Sequence, residues 1–183
     1  MRDLVAAERF YGKNRKKKIG LLIIFLIIIA GSVAVFPGSI SNLTKRKTEK
    51  EIHVLLVQFN NSYKHKDIEG LMTFYSQTPD VTAIGTGMQG TSVGREAIKS
   101  GYQREFSEFH EIQAVEDKIL SISISKDMVS LCADRYITVL KGDRKVKVNG
   151  VFSAVLRKIN GKWLFTQTHF SLPPEQSFLI YSG

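Results

Sequence analysis

One cysteine, Cys132, serves a chain of 183 residues, so no internal disulfide can form and the fold must rest on an apolar core. Cys132 also lacks a recognisable catalytic setting. Histidines number four, and nowhere do His and Cys recur at metal-ligand spacing, so neither a metal nor a cofactor is expected. Charge is scarce where a nucleic-acid binder would need it. The net charge of +9 is concentrated in residues 1–48, which hold ten Lys and Arg against two acids. Residues 49–183 hold sixteen basic against fifteen acidic residues, close to neutrality, so the folded part lacks the basic surface that nucleic acid requires. The remaining basic cluster, Lys141 to Lys147, reads as a solvated hairpin tip.

Charge is also absent from Ile19 to Thr44, and within that stretch Ile19–Phe36 (IGLLIIFLIIIAGSVAVF) is apolar throughout. As a helix it reaches about 27 Å, close to the hydrocarbon thickness of a bilayer, and no polar face interrupts it. A cleaved signal peptide is the competing reading, with Ser32-Val33-Ala34 as the small-residue site. The run is longer than the usual apolar segment of such a peptide, which favours a retained single-pass anchor. Seven basic residues precede it and four follow soon after, a bias that keeps the N-terminus cytoplasmic and places the rest of the chain outside. Asn42-Leu43-Thr44 and Asn60-Asn61-Ser62 fit the glycosylation acceptor pattern.

The chain divides on this basis into a basic flank (1–18), the transmembrane helix (19–36), a polar linker (37–48) and one folded domain (49–183). Ile52, Leu55, Leu56, Phe59 and Tyr63 recur at helical spacing. Asp67 is the N-cap of a second helix carrying Ile68, Leu71 and Tyr75. Val81–Ile84 is a short strand, and a third helix over Gly94–Phe109 puts Ile98, Tyr102, Phe106 and Phe109 on one side. Four long extended runs follow: Ile112–Ser125, Met128–Lys141, Arg144–Ile159 and Lys162–Leu172. The tight breaks between them force antiparallel neighbours, and Gly150 suggests a bulge or bend. Helices on the concave face of a curved antiparallel sheet make an α+β cone with a cavity at its open end. Gly85-Thr86-Gly87-Met88-Gln89-Gly90 has dinucleotide-fingerprint spacing, but no helix opens at once and no parallel strand follows, so it reads as a loop near the cavity mouth.

The order of these elements, VTAIGTG before GREAI at Val81 to Ile98, and GVFSAVLRKINGKWLFTQTHFSLP at Gly150 to Pro173 resemble the SnoaL-like branch of the nuclear-transport-factor-two-like superfamily. That superfamily also includes ketosteroid isomerase, scytalone dehydratase and the kinase association domain. The resemblance covers about Ile52 to Pro173. It implies an apolar pocket and a homodimer formed through the sheet, and leaves the reaction open among enzyme, carrier and assembly module.

In the last strand the two-residue period puts Trp163, Phe165, Gln167, His169 and Ser171 on one face, which the resemblance turns toward the cavity. His169 is then the candidate acid or base. In the second long strand the apolar face carries Arg135, which requires a carboxylate partner or an anionic ligand if it points inward; Tyr136 lies on the other face. Asp80 is a candidate carboxylate at the mouth, and Tyr63, Tyr75, Tyr102, Phe106 and Phe152 are candidate pocket walls. The expected ligand is small and largely apolar. Two further readings stand beside it: an isomerase, dehydratase or cyclase using His169, and a non-catalytic assembly module.

Overall fold

The computed structural model describes residues 37–85, 90–174 and 176, and of residues 37–40 the backbone alone. The segment expected to cross a membrane, Ile19–Phe36, its basic flank and the loop residues 86–89 lie outside the described residues. Among the described residues no helix is long and apolar enough to cross a membrane. The chain divides into two compact units, 1–44 and 45–183. Of the first, the described residues are all helical, the opening turns of α1 (Pro37–Lys64).

That helix corrects the linker expected over 37–48. Pro37 is pre-organised for a first helical turn, and no breaker occurs between Gly38 and Lys64. Propagation from the strongly amphipathic turns that follow carries the helix through this polar sequence. Ser41 to Lys47 are exposed throughout, so composition announced solvation and not conformation. Ile52, Leu55, Leu56, Phe59 and Tyr63 are all buried, as their spacing required.

Helix α2 (Ile68–Met72) is capped by Asp67, whose Oδ1 accepts from the Gly70 amide at 2.9 Å. A Cβ on Gly70 would lie 2.1 Å from the other Asp67 carboxylate oxygen, so glycine is what lets the cap close. The helix ends at Met72, and Tyr75, expected on it, instead forms an isolated parallel bridge with Phe165. Strands β1 (Thr82–Ile84) and β2 (Thr91–Val93) pair antiparallel, and helix α3 (Arg95–Ser107) follows.

Strands β3 (Glu111–Ser125), β4 (Met128–Lys141), β5 (Arg144–Ile159) and β6 (Lys162–Ser171) form the antiparallel meander within one sheet of order β2-β1-β6-β5-β4-β3. Strand β1 runs parallel to β6, so the curved sheet is mixed and not wholly antiparallel. No tight turn joins those two strands, which leaves their relative direction free of the hairpin constraint. The β4–β5 register runs unbroken through Gly150, so no bulge lies there. Glycine is needed at this point because a Cβ would come within 2.4 Å of the Ser171 carbonyl oxygen. The bulges occur in β3, at Gln113 and Leu120, and in β6, at Thr166.

The buried face of the sheet carries Val129, Leu131, Ala133, Ile137 and Val139 from β4 and Val148, Phe152, Ala154 and Leu156 from β5. Phe59 of α1 seats on it, with ring contacts to Phe74, Tyr75, Phe152 and Phe165. Each fully buried aromatic of this kind contributes about 1.5–3 kcal/mol from removed apolar surface alone.

Candidate functional site

The Thr166 bulge decides which side chains reach the interior. Val155 pairs with Gln167 but the next residue of β5, Leu156, pairs with Phe165, so Thr166 is an extra residue that reverses the inward–outward alternation of β6. Trp163 and Phe165 point inward before it; after it the inward positions are Thr168, opposite buried Ala154, and Phe170, opposite buried Phe152. Gln167, His169 and Ser171 are thereby turned to the outer face. His169 pairs with Ser153 and does not line the cavity, which corrects the acid–base role expected of it.

The cavity between α3 and the sheet has a volume of about 80 Å³. That is roughly half the ~150 Å³ that admits benzene in an engineered apolar cavity, so the enclosed part is too small for a whole six-membered ring. Helix α3 contributes Ile98, Gly101, Tyr102 and Glu105; α1 contributes Tyr63. The sheet contributes Arg135, Ile137, Phe152, Thr168 and Phe170, while Ala83, Ile84, Gly85, Gly90 and Ser92 lie on the β1–β2 hairpin.

Three polar systems meet this space. First, the Tyr63 hydroxyl donates to Glu105 Oε1 at 2.5 Å. Burial pushes the Glu105 carboxyl above its ordinary range, opposed by the Tyr63 hydrogen bond and by the positive charge of Arg135. Second, the Tyr75 hydroxyl lies 2.7 Å from the Tyr102 hydroxyl and 3.0 Å from Thr168 Oγ1. Burial raises both phenols, Tyr102 strongly, so both are neutral O–H groups near neutral pH. Third, Arg135 Nε donates to Asp117 Oδ1 and Nη2 to Asp117 Oδ2, both at 2.8 Å, and Nη2 also donates to Asn60 Oδ1 at 3.0 Å. Asn60 closes the ring by donating to Asp117 Oδ2 at 2.8 Å. Burial alone would lower the Arg135 guanidinium, but Asp117 holds it above its usual value, and its carbon sits 3.6 Å over the Phe152 ring. Asp117, directly opposite Arg135 in the β3–β4 ladder, is the carboxylate that an inward arginine required.

Of the residues expected at the site, Tyr63, Tyr102, Arg135 and Phe152 line the cavity together. Tyr75 stands behind Tyr102 and Thr168, and Phe106 packs on the rings of Tyr63 and Tyr102. Phe165 is core, and Trp163 donates its indole N–H to Glu51 at 2.9 Å, away from the cavity. Tyr136 is exposed on the opposite face from Arg135, and Asp80 is an exposed loop residue whose carbonyl accepts from Thr82. Asn60 is buried with both amide atoms engaged, so it is no glycan acceptor.

Glu105, Thr168 and Phe170 were missed. Glu105 follows Ile98 by seven residues and Tyr102 by three, so the helical period already put it on the inward face. The apolar positions Trp163, Phe165 and Phe170 change parity, which was the trace of the bulge. Among the described residues no cluster of His, Cys, Asp and Glu is placed to hold a metal ion. Gly85 and Gly90 flank the antiparallel β1–β2 pair, the Gly85 amide donating to the Gly90 carbonyl at 3.0 Å, and the next described element after β1 is a strand where a dinucleotide site requires a helix.

The fold recurs in solved structures. An NTF-2 like protein of unknown function from Shewanella oneidensis MR-1 superposes with a TM-score of 0.58 at 20% identity, covering 68% of this chain and 98% of that one. A protein assigned as a scytalone dehydratase from Novosphingobium aromaticivorans DSM 12444 superposes with a TM-score of 0.64 at 13% identity, covering 72% and 88%. A protein assigned as a calcium/calmodulin dependent protein kinase II association domain from Xanthomonas campestris gives 0.57 at 20% identity, covering 68% and 87%. At these identities the likeness is one of fold. No curated protein matches the chain. The SnoaL-like domain family matches residues 52–175, spanning α1 from Ile52 onward, α2, α3 and the whole sheet, and the chain belongs to that family.

Proposed function

We propose that this chain is a membrane-anchored SnoaL-like domain that binds a small, largely apolar molecule in the cavity under α3. The observation that carries the reading is an open space walled by Tyr102, Phe152, Ile137 and Phe170, with the polar residues Tyr63, Glu105 and Arg135 also lining it. Such a wall suits a molecule with an apolar body and one oxygen function. The anchor is Ile19–Phe36, with the N-terminus cytoplasmic and the domain outside. Full-length protein extracted in detergent and examined by native mass spectrometry should carry a bound small molecule, and Ala83→Phe, which fills the hairpin side of the cavity, should lose it while keeping the circular dichroism of the parent. An empty parent protein refutes the binding reading. Recovery of the full chain in the supernatant after ultracentrifugation of lysed cells refutes the anchor.

A catalytic reading is favoured by one specific feature, the buried Glu105 carboxyl in contact with a phenol. With its proton held above the ordinary carboxyl range, Glu105 suits general acid–base work of the isomerase or dehydratase kind, with Tyr102 as hydrogen-bond donor to a developing oxyanion. The role expected of His169 passes to Glu105 in this reading. A sheet-mediated homodimer is supported by Tyr136 and Val151, both exposed on the outer face. Val151→Lys should convert such a dimer to a monomer by light scattering.

A further inference from the structure

Three segments distant in sequence meet at one end of the sheet. The β3–β4 turn at Lys126-Asp127 and the end of β5 are joined by the Lys158 amide, which donates to the Asp127 carbonyl at 2.7 Å, and by the Arg157–Asp127 ion pair at 3.3 Å. Helix α1 is tied to the same end through Glu51, which accepts from Lys158 Nζ at 3.0 Å and from Trp163 Nε1 at 2.9 Å. Lys47, one turn earlier, pairs with Glu51 at 4.0 Å.

Residues 45–51, 126–127 and 157–162 together hold eight basic side chains and three acidic ones, a net charge of +5. The whole unit 45–183 holds nineteen basic and fifteen acidic, a net charge of +4. This end therefore carries more than all of the unit's net charge, and the remainder is slightly negative. Asp127 and Glu51 are held by ion pairs, while Lys45, Arg46, Lys50, Lys126 and Lys162 are exposed. The other basic cluster, on the β4–β5 hairpin at Lys141 to Lys147, lies at the opposite end of the meander, with Glu111 paired across from Leu140.

We infer that this basic end docks on the anionic headgroups of the bilayer that Ile19–Phe36 enters, giving the folded unit a second, electrostatic attachment. The inference rests on the anchor reading above. The partner follows from charge and chain order: the +5 end includes residues 45–51, which come soon after the apolar run in sequence, and its exposed Lys45, Arg46, Lys50, Lys126 and Lys162 suit a diffuse anionic surface.

Full-length protein in vesicles of phosphatidylcholine, with and without phosphatidylglycerol, tests this by amide hydrogen exchange. The expected result is several-fold slower exchange at Lys126-Asp127 and Asn160-Gly161 in the anionic vesicles, no change at Gly142-Asp143, and loss of the effect in high salt and in Lys126→Glu/Lys162→Glu. Equal exchange in the two vesicles overturns the docking surface, as does equal slowing at Gly142-Asp143. Flotation with neutral vesicles reads the anchor separately. If that alone fails, salt-sensitive flotation with anionic vesicles still supports the basic end, and flotation with neither overturns both.

Discussion

Removing the Asp117 carboxylate is the most demanding test of the interior described above. The Asp117 and Arg135 side chains are 3% and 5% exposed, and two 2.8 Å hydrogen bonds join them in the bidentate geometry that suits a guanidinium. Asp117→Ala deletes both, along with the bond from Asn60, and leaves the Arg135 charge buried beside Asn60 and the faces of Phe59 and Phe152, with no carboxylate bonded to it. A ring at 3.6 Å contributes about 2 kcal/mol to a desolvated cation, far short of a lost counter-ion. Breaking one side of a buried pair costs about 3–5 kcal/mol, a large share of the roughly 5–15 kcal/mol that holds a domain of this kind together. Urea unfolding of detergent-extracted protein, followed by circular dichroism, should show an unfolding free energy lowered by that amount, read as a lower midpoint with an unchanged slope. The apolar double variant Asp117→Leu/Arg135→Met removes both charges and should recover most of the loss, because the large term is the orphaned charge and not the bond. A single variant within about 1 kcal/mol of the parent, or a double variant no better than the single, would falsify this account of the pair.

Three smaller effects follow from the same geometry. Burial raises the Glu105 carboxyl above its usual 4.5, so above that pH the folded state keeps a proton that the unfolded chain has lost, and stability falls as pH rises through the folded value. Glu105→Gln should remove that decline, and parallel pH profiles of the parent and variant midpoints would show the carboxyl to be ordinary. Gly150→Ala places a Cβ 2.4 Å from the Ser171 carbonyl oxygen and should cost about 1–3 kcal/mol in urea midpoint, whereas the same change at Gly142 meets nothing within 4 Å and is confined to the strain of a positive φ. Asp67→Ala removes the α2 cap and should cost about 1 kcal/mol, with faster hydrogen exchange at the Gly70 amide; unchanged exchange there would contradict the cap.

The long strands were legible almost to the residue because two-residue turns bound them. Lys126, Asn160, Gly142 and Gly161 all take positive φ at those turns, and the sequence places turn-forming residues there between long β-rich runs. The helices were legible from their apolar spacing, apart from the first turns of α1, whose exposed polar residues carry no periodic signal, and the ends of α2 and α3, which stop short of Tyr75 and Phe109. What escaped was non-local. The parallel pairing of β1 with β6 joins segments more than eighty residues apart, and three-residue strands leave no period to read. At the site the errors trace to Thr166: one inserted residue shifted the inward set from Gln167 and His169 to Thr168 and Phe170. For Arg135 the strand pattern left the placement open and required a carboxylate or an anionic ligand only if it pointed inward; the identity of Asp117 depended on the β3–β4 register, which two bulges displace.

The interior polar groups divide by what their hydrogen bonds already satisfy. Asn60, Asp117 and Arg135 form a closed ring in which each side chain contacts both others, so a ligand that engaged Arg135 through Nε or Nη2 would first have to break a 2.8 Å charge-assisted bond. That ring pins α1 to β3 and β4, and its field lowers the Glu105 carboxyl against the effect of burial without reaching for the ligand itself. The tyrosine hydroxyls differ: the Tyr75, Tyr102 and Thr168 groups each serve as donor or acceptor, and the direction of the chain can reverse to suit what enters. In the binding reading proposed above, Glu105 and the phenols would meet the polar group of a ligand, while Nε and Nη2 of Arg135 are already committed to Asp117 and Asn60.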